Sequence, residues 1–142
     1  MKVMVISKAS AASEAGEMDP EMFAAMDKFN EELINAGIMV VGGGLAPSSR
    51  GARVRFSGSS RTVTDGPFAE TKELVAGFWV WKVSSLQEAI DWVKKCPNPM
   101  IDDSDIEIRP FIEPEDLAAA IDPVVEEESR LKVRARMMNW TP

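Results

Sequence analysis

The sequence predicts an α+β fold of the ferredoxin-like type, with an inserted β-hairpin and a C-terminal helical tail. Two observations carry this. Strand-like and helix-like patterns follow one another as strand, helix, strand, hairpin, long strand, helix, strand, the order of a split βαβ fold. The long strand, 74–83, is apolar on both faces and so needs cover on both. Two helices cover only one side of a sheet, and the simplest cover for the other is the same sheet of a second copy. A homodimer with sheets packed face to face is therefore expected.

Each element has a local reason. Residues 2–7, Lys-Val-Met-Val-Ile-Ser, read as a strand. Residues 9–18 are small and polar, include Gly16, and read as a loop. Asp19 can cap free N–H groups and Pro20 suits the first helical position, so a helix opens there. Met22, Met26, Phe29 and Leu33 recur along one face of it, and Gly37 closes it. Residues 38–41 form a short strand, interrupted at Gly42-Gly43-Gly44 as by a bulge and ended by Leu45-Ala46-Pro47. Residues 52–56 alternate as a half-exposed strand, 57–60 turn, and 61–64 return as the hairpin partner.

In the strand 74–83, Val75, Gly77, Trp79, Trp81 and Val83 share one face, and Leu74, Ala76, Phe78 and Val80 the other. Ser85 and Glu88 make a capping-box pattern for a helix over 85–95, whose apolar stripe is Leu86, Ala89, Ile90 and Val93. Cys96-Pro97-Asn98-Pro99 stops that helix, and 105–112 supplies the last strand. Residues 1–113 thus form one α+β domain. Residues 114–142 form a helical extension, with a short helix from Pro114 and a longer one from Asp122-Pro123. Its acids Glu126 to Glu128 stand near the start and Arg130, Lys132, Arg134 and Arg136 near the end, an order that suits the helix dipole. The extension is expected to pack on the domain or on the dimer partner.

Composition removes several functions. The net charge of −7 disfavours general nucleic-acid binding, which wants a basic stripe. The chain has no histidine, so histidine bases and histidine metal ligands are excluded. Tyrosine is absent and Cys96 is the single cysteine, which rules out an intrachain disulfide and leaves no set for structural zinc. Acid–base chemistry must come from Asp, Glu, Lys or water, and neither a metal nor an organic cofactor is expected. The apolar run from Val3 to Ile6 is too short for a signal core or a membrane span, so a cytoplasmic location is expected.

The stretch most charged with function is 65–73, Asp-Gly-Pro-Phe-Ala-Glu-Thr-Lys-Glu. A turn accounts for Gly66 and Pro67 but does not require Asp65, Glu70, Lys72 and Glu73 together. Asp65 is either a general base in an apolar cleft or an Asx-type turn cap. Glu70, Lys72 and Glu73 either hold a polar substrate, with Lys72 facing a carboxylate or phosphate, or form an exposed loop with weak local ion pairs. Arg109, opposite Ile106 and Ile108 on its strand, either clamps an anion or pairs with a carboxylate such as Glu73 or Asp65. Trp79 and Trp81 read as core or interface residues, with a pocket wall as the alternative. Gly42–Gly44 lacks the following Lys-Ser or Lys-Thr of a phosphate loop. Asp102, Asp103 and Asp105 lack calcium-loop spacing.

Asp65-Gly66-Pro67-Phe68, with the block 64–81 around it, resembles the YCII-related family in the branch named for its Asp-Gly-Pro-Phe motif. Ser13-Glu14-Ala15-Gly16, Asn30-Glu31-Glu32-Leu33, Cys96-Pro97-Asn98-Pro99 and Glu107-Ile108-Arg109-Pro110 resemble it too. The resemblance implies a dimeric ferredoxin-like α+β barrel with a site in a cleft by the sheet. Some relatives are proposed enzymes using a His–Asp pair, and one kind acts on chlorinated aromatic acid products. Only the aspartate of that pair, as Asp65, carries over to a chain without histidine. The resulting expectation is a small-molecule enzyme of lyase, isomerase or hydrolase type, with Asp65 catalytic and Gly66, Pro67, Phe68, Glu70, Lys72, Glu73 and Arg109 binding the substrate. The alternative is a non-catalytic ligand-binding or regulatory module, for which the resemblance suggests a link to an extracytoplasmic-function sigma factor.

Overall fold

In the computed structural model, residues 1–116 and 135–136 are described. Strand β1 (Lys2–Lys8) leads through a short helix α1 (Ala11–Glu14) to the long helix α2 (Pro20–Asn35). Then follow β2 (Met39–Gly44), the hairpin β3 (Ala52–Ser57) and β4 (Ser60–Asp65), β5 (Val75–Lys82), α3 (Leu86–Lys95) and β6 (Ile106–Pro110). The main sheet runs β2-β5-β1-β6, with every neighbouring pair antiparallel. Each helix-bearing connection skips one strand: α2 carries the chain over β5's place to β2, and α3 carries it over β1 to β6. That is the ferredoxin-like order the sequence predicts. The hairpin forms its own two-stranded sheet.

The core lies between the helices and one face of the sheet. Val3 and Val5 of β1 and Trp79 and Trp81 of β5 meet Phe29 and Leu33 of α2 and Ala89 of α3. Phe29 sits edge-on to three rings, Trp79, Trp81 and Trp92, with centroids 6.3, 6.3 and 6.4 Å away. Burying one such side chain contributes roughly 1.5–3 kcal/mol, so this aromatic group fixes α2 and α3 on the sheet. On the opposite face Val80 is fully buried, while Met4, Ile6 and Phe78 are half-buried.

The caps of α2 form as the sequence indicates. The Asp19 carboxylate accepts from the Glu21 N–H, Pro20 opens the helix, and Gly37 adopts φ +72°. At α3 the Ser85 hydroxyl accepts from the Glu88 N–H, but the Glu88 carboxylate turns to the backbone and hydroxyl of Ser84 instead of closing the box on Ser85.

Several expectations need correcting. The segment 9–18 is not all loop, because Ser10 and Ser13 form a reciprocal capping box that nucleates α1. Gly42–Gly44 do not interrupt their strand but lie within β2, paired with Trp79, Phe78 and Gly77; the irregularity falls between Met39 and Val41. Backbone pairing needs no side chain, so glycines can continue a ladder. The hairpin is exposed along both strands rather than half-buried. Val75 is also exposed, because β5 shifts register against β1 between Ser7 and Lys8. The expected longer helix from Asp122-Pro123 lies outside the described residues.

Candidate functional site

A cavity of about 680 Å³ opens between α2 and the end of the sheet nearest β2. Its floor is bare for a sequence reason. Gly77 pairs with Ser7 on one side and Gly44 on the other, and Gly42 pairs with Trp79. Paired residues of antiparallel strands share a face, so this patch offers only hydrogens, one hydroxyl and one indole. A Cβ on Gly42 would lie 2.7 Å from the Trp79 ring, whereas one on Gly44 would meet nothing within 4 Å. The roof is Met22, Met26 and Asn30 of α2, and one wall is Pro99, Met100 and Ile101. Asn98 shapes that wall: its amide nitrogen donates to the Asp102 carbonyl and its oxygen accepts from Met100 N–H and Ser104 Oγ.

Polar groups in the cavity are few and placed. The Asn30 oxygen accepts from Trp79 Nε1 at 2.8 Å, which leaves the Asn30 amide nitrogen without a partner among the described residues. The Ser7 hydroxyl is buried and also has no partner among them. Glu17 and Asp27 stand on the rim, and Arg50 is the one basic residue on the wall among the described residues.

Beside this cavity is a smaller hollow of about 430 Å³, lined by Glu14, Ser48, Arg50, Arg53, Phe68 and Glu73 among others. Here the Asp-Gly-Pro-Phe turn meets the rest of the chain. The Gly66–Pro67 peptide is cis. Gly66 N–H donates to the Gly51 carbonyl, and Phe68 N–H donates to Ser48 Oγ. Ser48 in turn gives its N–H and its hydroxyl to the Glu14 carboxylate. Gly66 packs so closely on this turn that a Cβ there would fall 1.7 Å from the Ser48 carbonyl oxygen. The Arg53 guanidinium lies 4.0 Å over the Phe68 ring.

The residues expected at the site are thus dispersed. Phe68 and Glu73 line the smaller hollow, and Gly66 and Pro67 form its clamp. Asp65 is exposed at the end of β4, and its carboxylate makes no hydrogen bond among the described residues, so the Asx-type cap is not formed. The apolar enclosure expected around it does not arise within one chain. Glu70 is exposed, and Lys72 sits on the 3-10 turn Thr71–Glu73. Arg109 lies on the sheet face away from the cavity and pairs with Glu107 of its own strand at 3.4 Å, not with Glu73 or Asp65. Residues two apart on one strand share a face, which puts Glu107 within easier reach. Trp79 and Trp81 belong to the core, and Trp79 also walls the cavity.

Sequence reasoning passed over Ser7, Asn30, Ser48 and Arg50 as site residues. Asn30 carried a signal, because it is a polar residue four positions after Met26 and therefore beside the apolar stripe. Ser48 and Arg50, in a Ser-Ser-Arg-Gly loop, carried none. Among the described residues no group of three or more potential ligand side chains could hold a metal, and no helix is long and apolar enough to cross a membrane.

Cys96 stands at the end of α3 with its thiol toward the Pro97 carbonyl, and burial pushes that thiol up from 9.0 to about 11. It is therefore a protonated packing group rather than a nucleophile.

An uncharacterised protein of Rhizobium meliloti (strain 1021) is 32% identical over 95 residues, covering 67% of this chain and 77% of that protein. A solved structure of 5-chloro-2-hydroxyhydroquinone dehydrochlorinase from Burkholderia phenoliruptrix AC1100, in complex with 2,5-dihydroxybenzoquinone, is 18% identical; the match covers 80% of this chain and 95% of that one, with a TM-score of 0.42. Residues 1–113 match the YCII-related domain, and the chain belongs to the YCII-related family.

Proposed function

We propose that this chain binds a small organic molecule in the cavity under α2, with an apolar body against Met22, Met26 and Trp79 and a hydrogen-bonding group at Asn30 and Ser7. The bare glycine floor carries this reading. Gly42, Gly44 and Gly77 withhold side chains where any other residue would fill the space. The volume of about 680 Å³ falls within the range of ligand pockets. A buried hydroxyl without a partner beside such a space is what a polar ligand group relieves.

Gly44→Leu tests this directly, because a Cβ at Gly44 meets nothing and the larger side chain occupies the cavity without straining the strand. Ligands found by thermal shift from a metabolite library should stabilise the native chain and lose their effect in Gly44→Leu. Hits that survive that substitution would place binding elsewhere.

Catalysis of lyase, isomerase or hydrolase type is the narrower form of the proposal. Asp65 lines neither hollow of its own chain, so a proton-transfer role requires its carboxylate to reach a ligand held by a second copy. The half-buried Met4, Ile6 and Phe78, on the sheet face that no helix among the described residues covers, support a homodimer through that face. Phe78→Glu should then convert the sedimenting species from dimer to monomer. If the native chain sediments as a monomer at micromolar concentration, both the dimer and the catalytic role of Asp65 fall, while ligand binding stands. A ligand recovered unchanged after long incubation would favour the non-catalytic module.

A further inference from the structure

We propose that Arg50 is the anion-recognising residue of this cavity, so that its ligand is a small organic acid, and that the Asp-Gly-Pro-Phe turn positions Arg50. The proposal rests on the cavity reading above and adds the chemical class of the ligand.

Among the described residues Arg50 is the single basic side chain on the cavity wall, and it also lines the adjoining hollow. Two of the three hairpin arginines are occupied, and the third, Arg55, lines neither hollow. Arg53 covers the Phe68 ring, and Arg61 covers Phe56 while donating to the Gly58 and Ser60 carbonyls. The Arg50 guanidinium makes no hydrogen bond, ion pair or ring contact among the described residues. A guanidinium offers parallel N–H groups that match a carboxylate's two oxygens. The rim also carries Glu17 and Asp27, so a ligand with one anionic end fits and a dianion spanning the cavity does not.

The turn that carries Arg50 is fixed far more firmly than an exposed three-residue segment needs. Arg50 ends the 3-10 turn Ser48–Arg50, closed by Arg50 N–H to the Pro47 carbonyl and Gly51 N–H to the Ser48 carbonyl. Glu14 holds Ser48 from one side. Phe68 N–H and Gly66 hold the same turn from the other. A recognition residue must be set by its supports to be selective, and this clamp supplies them. Gly66, Phe68, Ser48 and Glu14 are thus positioning residues, acting through Arg50.

The test uses two probes sharing one ring, benzoate and benzyl alcohol, titrated into the full ¹⁵N-labelled chain. The signals followed are the Trp79 indole, the Asn30 side-chain amide and the Gly44 amide. Benzoate should bind about fivefold or more tighter than benzyl alcohol, as a charge-assisted contact at a partly exposed guanidinium allows, and salt should narrow the gap. Arg50→Gln should bring the ratio to about one with benzyl alcohol unchanged, and Arg50→Lys should keep part of it. Ser48→Ala should lower the ratio too, whereas a merely loosened fold would weaken both probes alike. A ratio near one in the native chain, or a ratio that survives Arg50→Gln, overturns the anion assignment and leaves the cavity reading intact. If neither probe moves any cavity signal, the cavity reading fails and takes this proposal with it.

Discussion

Replacing Gly66 by alanine separates the two meanings of the Asp-Gly-Pro-Phe motif. The added Cβ would lie 1.7 Å from the Ser48 carbonyl oxygen, 2.6 Å from its carbon and 3.2 Å from the Ser49 nitrogen. All three are backbone atoms, so no side-chain rotation relieves the contact. The oxygen must retreat to at least 3.0 Å, which shifts one of two backbone segments by more than an ångström. Two hydrogen bonds span that gap, Gly66 N–H to Gly51 O at 3.0 Å and Phe68 N–H to Ser48 Oγ at 3.1 Å. Each contributes about 1 kcal/mol, and the lost packing at the hairpin base adds to them. The expected cost is about 2–4 kcal/mol, read by urea denaturation. That corresponds to a fall in Tm of about 5–15 °C for a chain of this size. Gly51→Ala is the control, because its Cβ would meet the Ser48 oxygen at an ordinary 3.6 Å. If Gly66→Ala destabilises no more than Gly51→Ala, the close approach is not a constraint and the clamp argument is wrong.

Other consequences are measurable on the same material. Asp65→Asn should change stability by less than about 0.5 kcal/mol in urea, since the carboxylate is exposed and holds no backbone group; a larger loss would mean that it does structural work. Asn30→Ala should cost about 1–3 kcal/mol by leaving the nearly buried Trp79 N–H unsatisfied, and a neutral result would remove Asn30 from the account of the cavity roof. Alkylation of native Cys96 by iodoacetamide should stay slow at pH 8 and rise toward a midpoint near the elevated value of about 11. Because the unfolded chain releases that thiol proton first, the thiol's contribution to stability is intact below pH 9 and is lost as pH climbs toward 11. A native alkylation midpoint near 9 would contradict the burial.

The fold was legible where local chemistry decides it. Apolar runs of strand length marked β1 and β5, and Asp19-Pro20 and Gly37 bracketed α2 because a cap answers to its own neighbours. Helix α1 escaped notice because four residues cannot display a 3.6-residue period; its signal was the paired serines Ser10 and Ser13. The glycine run was misread because glycine's weak strand preference is a statement about side chains, whereas β2 is held by its ladder to β5. For the candidate site, the motif drew attention to the turn beside the smaller hollow but not to what the turn does structurally. What decides the role of Gly66 is a contact with Ser48, and no local pattern reports a distance between separate segments. Arg109 illustrates the complementary point: strand parity placed it correctly opposite Ile108, yet only the three-dimensional arrangement shows that this face lies away from the cavity.

The hairpin gives the clamp a second physical meaning. Four arginines, Arg50, Arg53, Arg55 and Arg61, stand between residues 48 and 65 against the single acid Asp65. That segment therefore carries +3 in a chain of net −7, leaving −10 on the rest. An isolated two-stranded hairpin is marginal in water, and here both strands are exposed, with Val54, Phe56 and Val63 on one face. Its own ring contacts, Arg61 on Phe56 and Arg53 on Phe68, contribute about 0.5–1 kcal/mol each at exposed sites. Such contacts do not by themselves order twelve residues. The hairpin is anchored at its base, where Gly66 bonds to Gly51 and Ala52 pairs with Asp65. The base of the hairpin and the turn bearing Arg50 are therefore one mechanical unit. A change that frees the hairpin, such as Gly66→Ala, must also release Arg50 from the cavity wall, whereas a change at the hairpin tip, near Gly58, leaves Arg50 in place.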